Sequence, residues 1–344
     1  MKTGVIMQTV IYKPNIEGIE AAAGILKNGG LVGIPTETVY GLAANALDGP
    51  AVSQIFKVKG RPQDNPLIVH ISELGQLSPL VLEVPENAVK LANAFWPGPL
   101  TIILRKSEII PDEVSAGLET VAVRMPSHPV ARKIISHSGV PLAAPSANLS
   151  GSPSPTTALH VYNDLNGKIP AIVDGGKCSV GLESTVITLN ERVPRILRPG
   201  GITPEKLEKV LGKIEIDDAV LNMLREGEKA ASPGMKYRHY SPKAEVTIVK
   251  GSLEQFISFV SNFEAEGTAV LCFDGEEKLI PAKCIAYGKI DNPEQQAYRL
   301  FGALRELDNI GAKRVFARCP KAQGVGLAVY NRLLRAAGFK VIGL

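Results

Sequence analysis

The chain has 344 residues, 45% apolar and 21% charged, a globular balance that excludes disordered, collagen-like and low-complexity chains. Lys+Arg 38 against Asp+Glu 34 leave only +4, which argues against a strong polyanion binder; 22 basic and 23 acidic residues precede Ala230, with 16 and 11 from there on. No apolar run approaches the roughly 18 residues of a membrane helix and the opening MKTGVIMQTV has no signal-peptide core, so a cytoplasmic protein is expected.

Apolar residues recur at helical spacing from Ile16 to Asn28, Gly29-Gly30 stops that helix, and LVGIP reads as a buried strand. Strands are then predicted at 66–71, 100–104, 120–125, 141–145, 171–174 and 184–189, with helices near 51–58, 86–95, 129–137, 157–165 and 203–211. This alternation predicts an α/β fold: a mixed open sheet with flanking helices, over 1–211. Charged, Pro- and Gly-containing sequence over 212–243 reads as an interdomain connector. From 244 to 344, strands in AEVTIVK, TAVLCFD, CIAYG, KRVFARC and KVIGL alternate with helices near 252–263, 293–309 and 326–337, predicting a smaller, Rossmann-like C-terminal α/β domain.

Familiar site motifs are missing. Asp174-Gly-Gly-Lys-Cys-Ser fails as a Walker loop, and G-x-G-x-x-G, H-E-x-x-H and G-x-S-x-G do not occur. The five histidines are dispersed, and Cys178, Cys272, Cys284 and Cys319 lack metal-site spacing, so all four cysteines read as reduced and mostly buried.

Polar residues instead interrupt what should be buried strand ends. Pro35-Thr-Glu-Thr-Val-Tyr-Gly41 follows the LVGI strand and reads as a capped turn into a helix or as a site loop. Lys57, Lys59 and Arg61 put three cations within five residues at a Gly/Pro-bent helix exit; they fit a phosphate clamp or a solvated helix C-terminus. Arg124 ends an apolar strand and needs a partner, either a structural carboxylate or a substrate anion. Ser146 and Asn148 lie among small residues that allow close ligand approach, and Ser184 and Arg198 fit a polar rim at sheet ends. Recurring cations on hydroxyl-rich loops favour an anionic small molecule over plain turns.

Taken together, PTETVYGL (35–42), Lys59-x-Arg61, DNPLIVH (64–70), WPGPLT (96–101), TVAVRMP (120–126) and APSAN (144–148) closely resemble the threonylcarbamoyl-AMP synthase family, with its YrdC-type catalytic domain. PGMKYRHYSP (233–242) and the additional domain resemble its long, two-domain form. The resemblance implies a nucleotidyltransferase that makes L-threonylcarbamoyl-AMP and pyrophosphate from L-threonine, bicarbonate and ATP, for N6-threonylcarbamoyladenosine in tRNA. It further implies that Lys59, Arg61, Asn65, Thr120, Ser146, Asn148, Ser154 and Arg198 surround ATP, with Lys59 and Arg61 at the reacting phosphates. Thr38, His70, Arg124, Ala144 and Ser184 would hold threonine. Mg²⁺ is expected on the ATP phosphates rather than on protein ligands, with no organic cofactor. Tyr237 and His239, beside Tyr240, are expected to reach ATP as part of a lid, and the product is expected to pass to the tRNA threonylcarbamoyl-transferase machinery. Direct tRNA binding is expected to be weak or absent, because a backbone-gripping domain should be more basic than 22 against 23. A carbamoyl-phosphate-dependent transferase is disfavoured by the lack of zinc-finger and acylphosphatase-like segments.

Overall fold

The computed structural model describes residues 8–223 and 240–344. The first region begins β1 (Val10–Tyr12), α1 (Ile16–Lys27), β2 (Val32–Ile34), β3 (Gly41–Asn45), α2 (Gly49–Lys59) and β4 (Ile68–His70). It continues α3 (Glu86–Phe95), β5 (Leu100–Arg105), α4 (Asp112–Ser115), β6 (Thr120–Arg124), α5 (Pro129–Ser138) and β7 (Leu142–Ala143). It closes with α6 (Ala158–Leu165), β8 (Ala171–Val173), β9 (Thr185–Thr188), β10 (Arg195–Arg198), α7 (Pro204–Leu211) and β11 (Glu215–Ile216). The second region runs β12 (Glu245–Lys250), α8 (Leu253–Val260), β13 (Thr268–Cys272), β14 (Lys283–Ala286), α9 (Pro293–Asn309), β15 (Arg314–Arg318), α10 (Val325–Ala336) and β16 (Val341–Gly343).

Strands β1–β11 form one mixed sheet in the order β1-β8-β2-β3-β7-β4-β6-β5-β9-β10-β11. Period-two alternation separates its two faces: Leu42 and Ala44 join the core under α2, α3 and α6, while Ala43 joins the core under α1 and α5. Strands β12–β16 form a parallel five-stranded sheet ordered β14-β13-β15-β12-β16, so β15 lies between β12 and β13. One of its cores also takes in Val39 and Leu182 from the first region, so apolar packing joins the two.

Register decides where functional side chains collect. β4 runs parallel to β6 with His70 opposite Arg124, so both stand at the carboxyl ends of adjacent strands. β5 runs parallel to β9 with Leu100 opposite Thr185, which brings Ser184 to that same edge. β10 pairs antiparallel with β9 and delivers Arg198 beside Val186. Helix α2 is capped by the Asp48 carboxylate on the Ala51 N–H and ends at Gly60 in the left-handed region (φ 61°), which turns the Lys59–Arg61 segment out of the helix.

Two expectations are corrected. Residues 35–41 lead into strand β3 rather than a helix, because Thr36 closes a tight turn onto the Val39 carbonyl and the following GLAAN pairs on both sides. The connector does not begin at 212: Glu215–Ile216 pairs with Arg195–Ile196 as an edge strand. Among the described residues no helix is long and apolar enough to cross a membrane. The four cysteines are unpaired, Cys178 and Cys272 buried and the other two half-buried.

Candidate functional site

A cleft of about 730 Å³, open mouth included, lies at this sheet edge. Thr36, Thr38, Lys59, Arg61, His70, Arg124, Ala144, Ser146, Asn148, Ser184 and Arg198 line it, together with Glu183, Tyr240 and the Ser150–Ser152 loop.

Arg124 is 3% exposed, and each of its three nitrogens has a polar neighbour. One terminal nitrogen lies 2.7 Å from Glu37 Oε1, the other donates to Thr38 Oγ1 at 2.9 Å, and Nε donates to the Gly98 carbonyl at 3.3 Å. Burial alone would raise the Glu37 carboxyl, but the Arg124 guanidinium outweighs it and holds the group below its ordinary value. His70, buried beside this pair, is pushed down to about 3 by desolvation, with the Arg124 charge acting in the same direction, so its ring is neutral near pH 7. Thr36 and Thr38 both face the cleft and share a 2.9 Å hydrogen bond. They sit in a turn rather than a strand, which lets both side chains face the same side.

Lys59 is 3% exposed, and its ammonium donates to the Ser146 carbonyl at 2.5 Å and to the Asn148 carbonyl. Burial, reinforced by the nearby Arg61 charge, holds its pKa well below the ordinary lysine value. These Lys59 bonds tie the APSAN loop to α2, and Ser146 Oγ donates to Asn148 Oδ1 at 2.6 Å within the loop. Arg61 donates to the Asn65 and Pro66 carbonyls, each at 3.3 Å.

On the opposite wall, Arg198 donates to the Ser184 carbonyl at 3.0 Å and hydroxyl at 3.1 Å, and Ser184 Oγ meets Thr101 Oγ1 at 2.8 Å. Burial lowers the Arg198 pKa to about 10. Glu183 accepts from the Ser154 hydroxyl and from Arg332 Nε at 2.7 Å. Lining side chains thus present four cations, Lys59, Arg61, Arg124 and Arg198, against one carboxylate, Glu183, while Glu37, not itself a lining residue, pairs with Arg124. The arrangement suits a polyanion with hydroxyl or carbonyl groups.

Comparison with known proteins agrees with this chemistry. The Sua5/YciO/YrdC family model, described as telomere recombination, matches residues 24–200, and the model for the threonylcarbamoyl-AMP synthase C-terminal domain matches 202–338. A Pyrococcus abyssi (strain GE5 / Orsay) protein named threonylcarbamoyl-AMP synthase is 49% identical over 328 residues, 94% of this chain and 95% of that one. The chain belongs to the threonylcarbamoyl-AMP synthase family. The Bacillus subtilis (strain 168) protein of that name is 47% identical over 328 residues, covering 94% of each chain. The structure of P. abyssi Sua5 complexed with L-threonine superposes with a TM-score of 0.93 at 47% identity, covering 98% of this chain and 100% of that one.

Not every predicted residue lines the cleft. Ser154 is fully buried behind it and reaches it through Glu183. Asn65 is buried, and its side-chain amide has no hydrogen-bond partner among the described residues. Thr120 begins β6 opposite Arg105, four residues before Arg124, and is not among the lining residues. Tyr237 and His239 lie outside the described residues. Neither Glu37 nor Glu183 carried a role in the sequence reading. Their signal was a carboxylate set among hydroxyl and apolar residues in PTETV and GLEST.

Proposed function

We propose that this chain condenses L-threonine, bicarbonate and ATP into L-threonylcarbamoyl-AMP, releasing pyrophosphate, for N6-threonylcarbamoyladenosine in tRNA. The observation that carries this reading is the convergence of Lys59, Arg61, Arg124 and Arg198 on one hydroxyl-lined cleft, in a chain of this family. The threonine amine and bicarbonate form a carbamate with loss of water; a carbamate oxygen then attacks the α-phosphorus, and the bond to pyrophosphate breaks. No protein nucleophile is needed, so positioning and charge stabilisation supply the acceleration.

Thr38, His70, Arg124, Ala144 and Ser184 form the threonine side. The neutral His70 ring offers a hydrogen bond without repelling the threonine ammonium, and Arg124, held against Glu37, stands where a carboxylate can join it. Lys59, Arg61, Ser146, Asn148 and Arg198, with Ser154, Asn65 and Thr120 behind or beside them, form the ATP side, and Lys59 and Arg61 face the reacting phosphates. Anionic phosphate favours the charged form of the depressed Lys59 amine, so ATP binding and Lys59 protonation reinforce each other. Mg²⁺ enters on the ATP phosphates as part of the substrate. Tyr237 and His239, which precede the lining residue Tyr240 in sequence, are assigned to the lid. The reaction is placed in the cytoplasm, with the labile product handed to the tRNA threonylcarbamoyl-transferase machinery and little direct tRNA affinity.

The test is pyrophosphate release and capture of labelled bicarbonate. Release that needs threonine, bicarbonate and ATP together is expected. Threonine-independent cleavage of ATP alone, with no label in nucleotide product, would overturn the proposal.

A further inference from the structure

Two arginines of the C-terminal domain converge on adjacent residues behind the cleft. Arg332 of α10 is fully buried; Nε donates to Glu183 Oε2 at 2.7 Å and one terminal nitrogen to the Glu183 carbonyl at 3.3 Å. The other carboxylate oxygen of Glu183 accepts from the Ser154 hydroxyl. Arg305 of α9 grips Asp164 with two bonds, at 3.0 and 2.8 Å, and donates to the Pro153 carbonyl at 2.6 Å. Pro153 and Ser154 are therefore held from two directions by one domain. Arg332 also lies 5.6 Å from the ring of Tyr240, which lines the cleft and packs on Phe301 at 5.2 Å.

We infer that Arg332 is a positioning residue for the ATP side of the cleft, acting through Glu183 on Ser154, with Arg305 bracing Pro153 beside it. An apolar pair of similar volume would stabilise this interface as well as a buried ion pair does. What the pair adds is direction: Glu183 Oε2 and its carbonyl are both fixed by one planar fork, which leaves Oε1 aimed at Ser154. A misplaced loop near the reacting phosphates loses ATP affinity without necessarily unfolding the sheet.

The inference rests on the reading that Ser154 belongs to the ATP side, so Ser154→Ala is measured beside it, all in the full chain and by pyrophosphate release. Arg332→Gln is expected to raise the KM for ATP roughly tenfold, and more than the KM for threonine, with kcat at saturating ATP falling less than about threefold. Arg332→Lys recovers part of that loss. Added to Ser154→Ala, Arg332→Gln has less effect on the ATP KM than it has alone. Because Arg332→Gln strands a buried carboxylate, Glu183→Gln/Arg332→Met removes both charges, keeps an acceptor for Ser154, and is expected to fold with a raised ATP KM. A wild-type ATP KM in that folded double variant, or a loss of kcat alone in Arg332→Gln, would overturn the inference while Ser154→Ala raises the ATP KM. An unchanged ATP KM in Ser154→Ala would overturn the ATP assignment of Ser154 and this inference with it.

Discussion

His70 gives the sharpest quantitative test of the electrostatics at the sheet edge. Its ring is 3% exposed, its Nδ1 lies 3.2 Å from the Ile68 carbonyl, and desolvation beside Arg124 lowers its pKa from 6.5 to about 3. Between those values the unfolded chain holds a proton on His70 and the folded chain does not. Stability from this residue is therefore full above pH 6.5 and falls as pH drops, levelling near pH 3. Taking 1.36 kcal/mol per pKa unit, the loss between about pH 7.5 and about pH 5 is about 2 kcal/mol. His70→Asn keeps a donor near the Ile68 carbonyl but cannot titrate. His128 and His160, whose pKa values burial also lowers, contribute equally to both proteins and cancel in the difference. Urea unfolding of wild type and His70→Asn at the two pH values should show wild type losing about 2 kcal/mol more than the variant. Parallel losses would refute the neutral buried imidazole and the threonine-side electrostatics built on it.

Three further outcomes follow from particular contacts. The KM for ATP should climb with rising pH well before an ordinary lysine would titrate, as the depressed Lys59 amine loses its proton, and Lys59→Arg should abolish that climb; a flat wild-type profile counts against the charged amine at the phosphates. Glu37→Gln removes the Arg124 counter-ion and should cost about 3–5 kcal/mol of stability. Threonine, whose carboxylate supplies the negative charge Glu37 no longer provides, should then raise the melting temperature more than it does in wild type, and an equal thermal shift in both proteins contradicts this. Gly200→Ala would put a Cβ 2.2 Å from the Thr185 nitrogen and 2.5 Å from the Ser184 carbonyl carbon, so a loss above about 2 kcal/mol with raised KM for both substrates is expected. Native stability and kinetics would show that the Ser184–Arg198 wall tolerates backbone movement.

What could be read in the sequence was local. Asp48 with Pro50 and Gly60 bracket α2, and the apolar run of TVAVR ending in a charge marks both a buried strand and a site. Strand β3 was missed because Gly41-Leu-Ala-Ala-Asn45 lacks β-branched residues; only pairing with β2 and β7 makes it a strand. The same limit applies to charge. Four lining cations pointed to an anion site, but the counter-ions Glu37 and Glu183 sit 87 and 149 residues from Arg124 and Arg332, and such pairings emerge only from the register of the large sheet and the docking of α10. Counting cations alone therefore overstates the positive charge offered to a ligand. Arg124 meets a substrate carboxylate while already sharing its charge with Glu37, and Arg332 spends its charge on a carboxylate that faces the cleft. The field felt by a phosphate is set by which cations the fold has already neutralised, and that is a property of the long-range pairings rather than of the motifs.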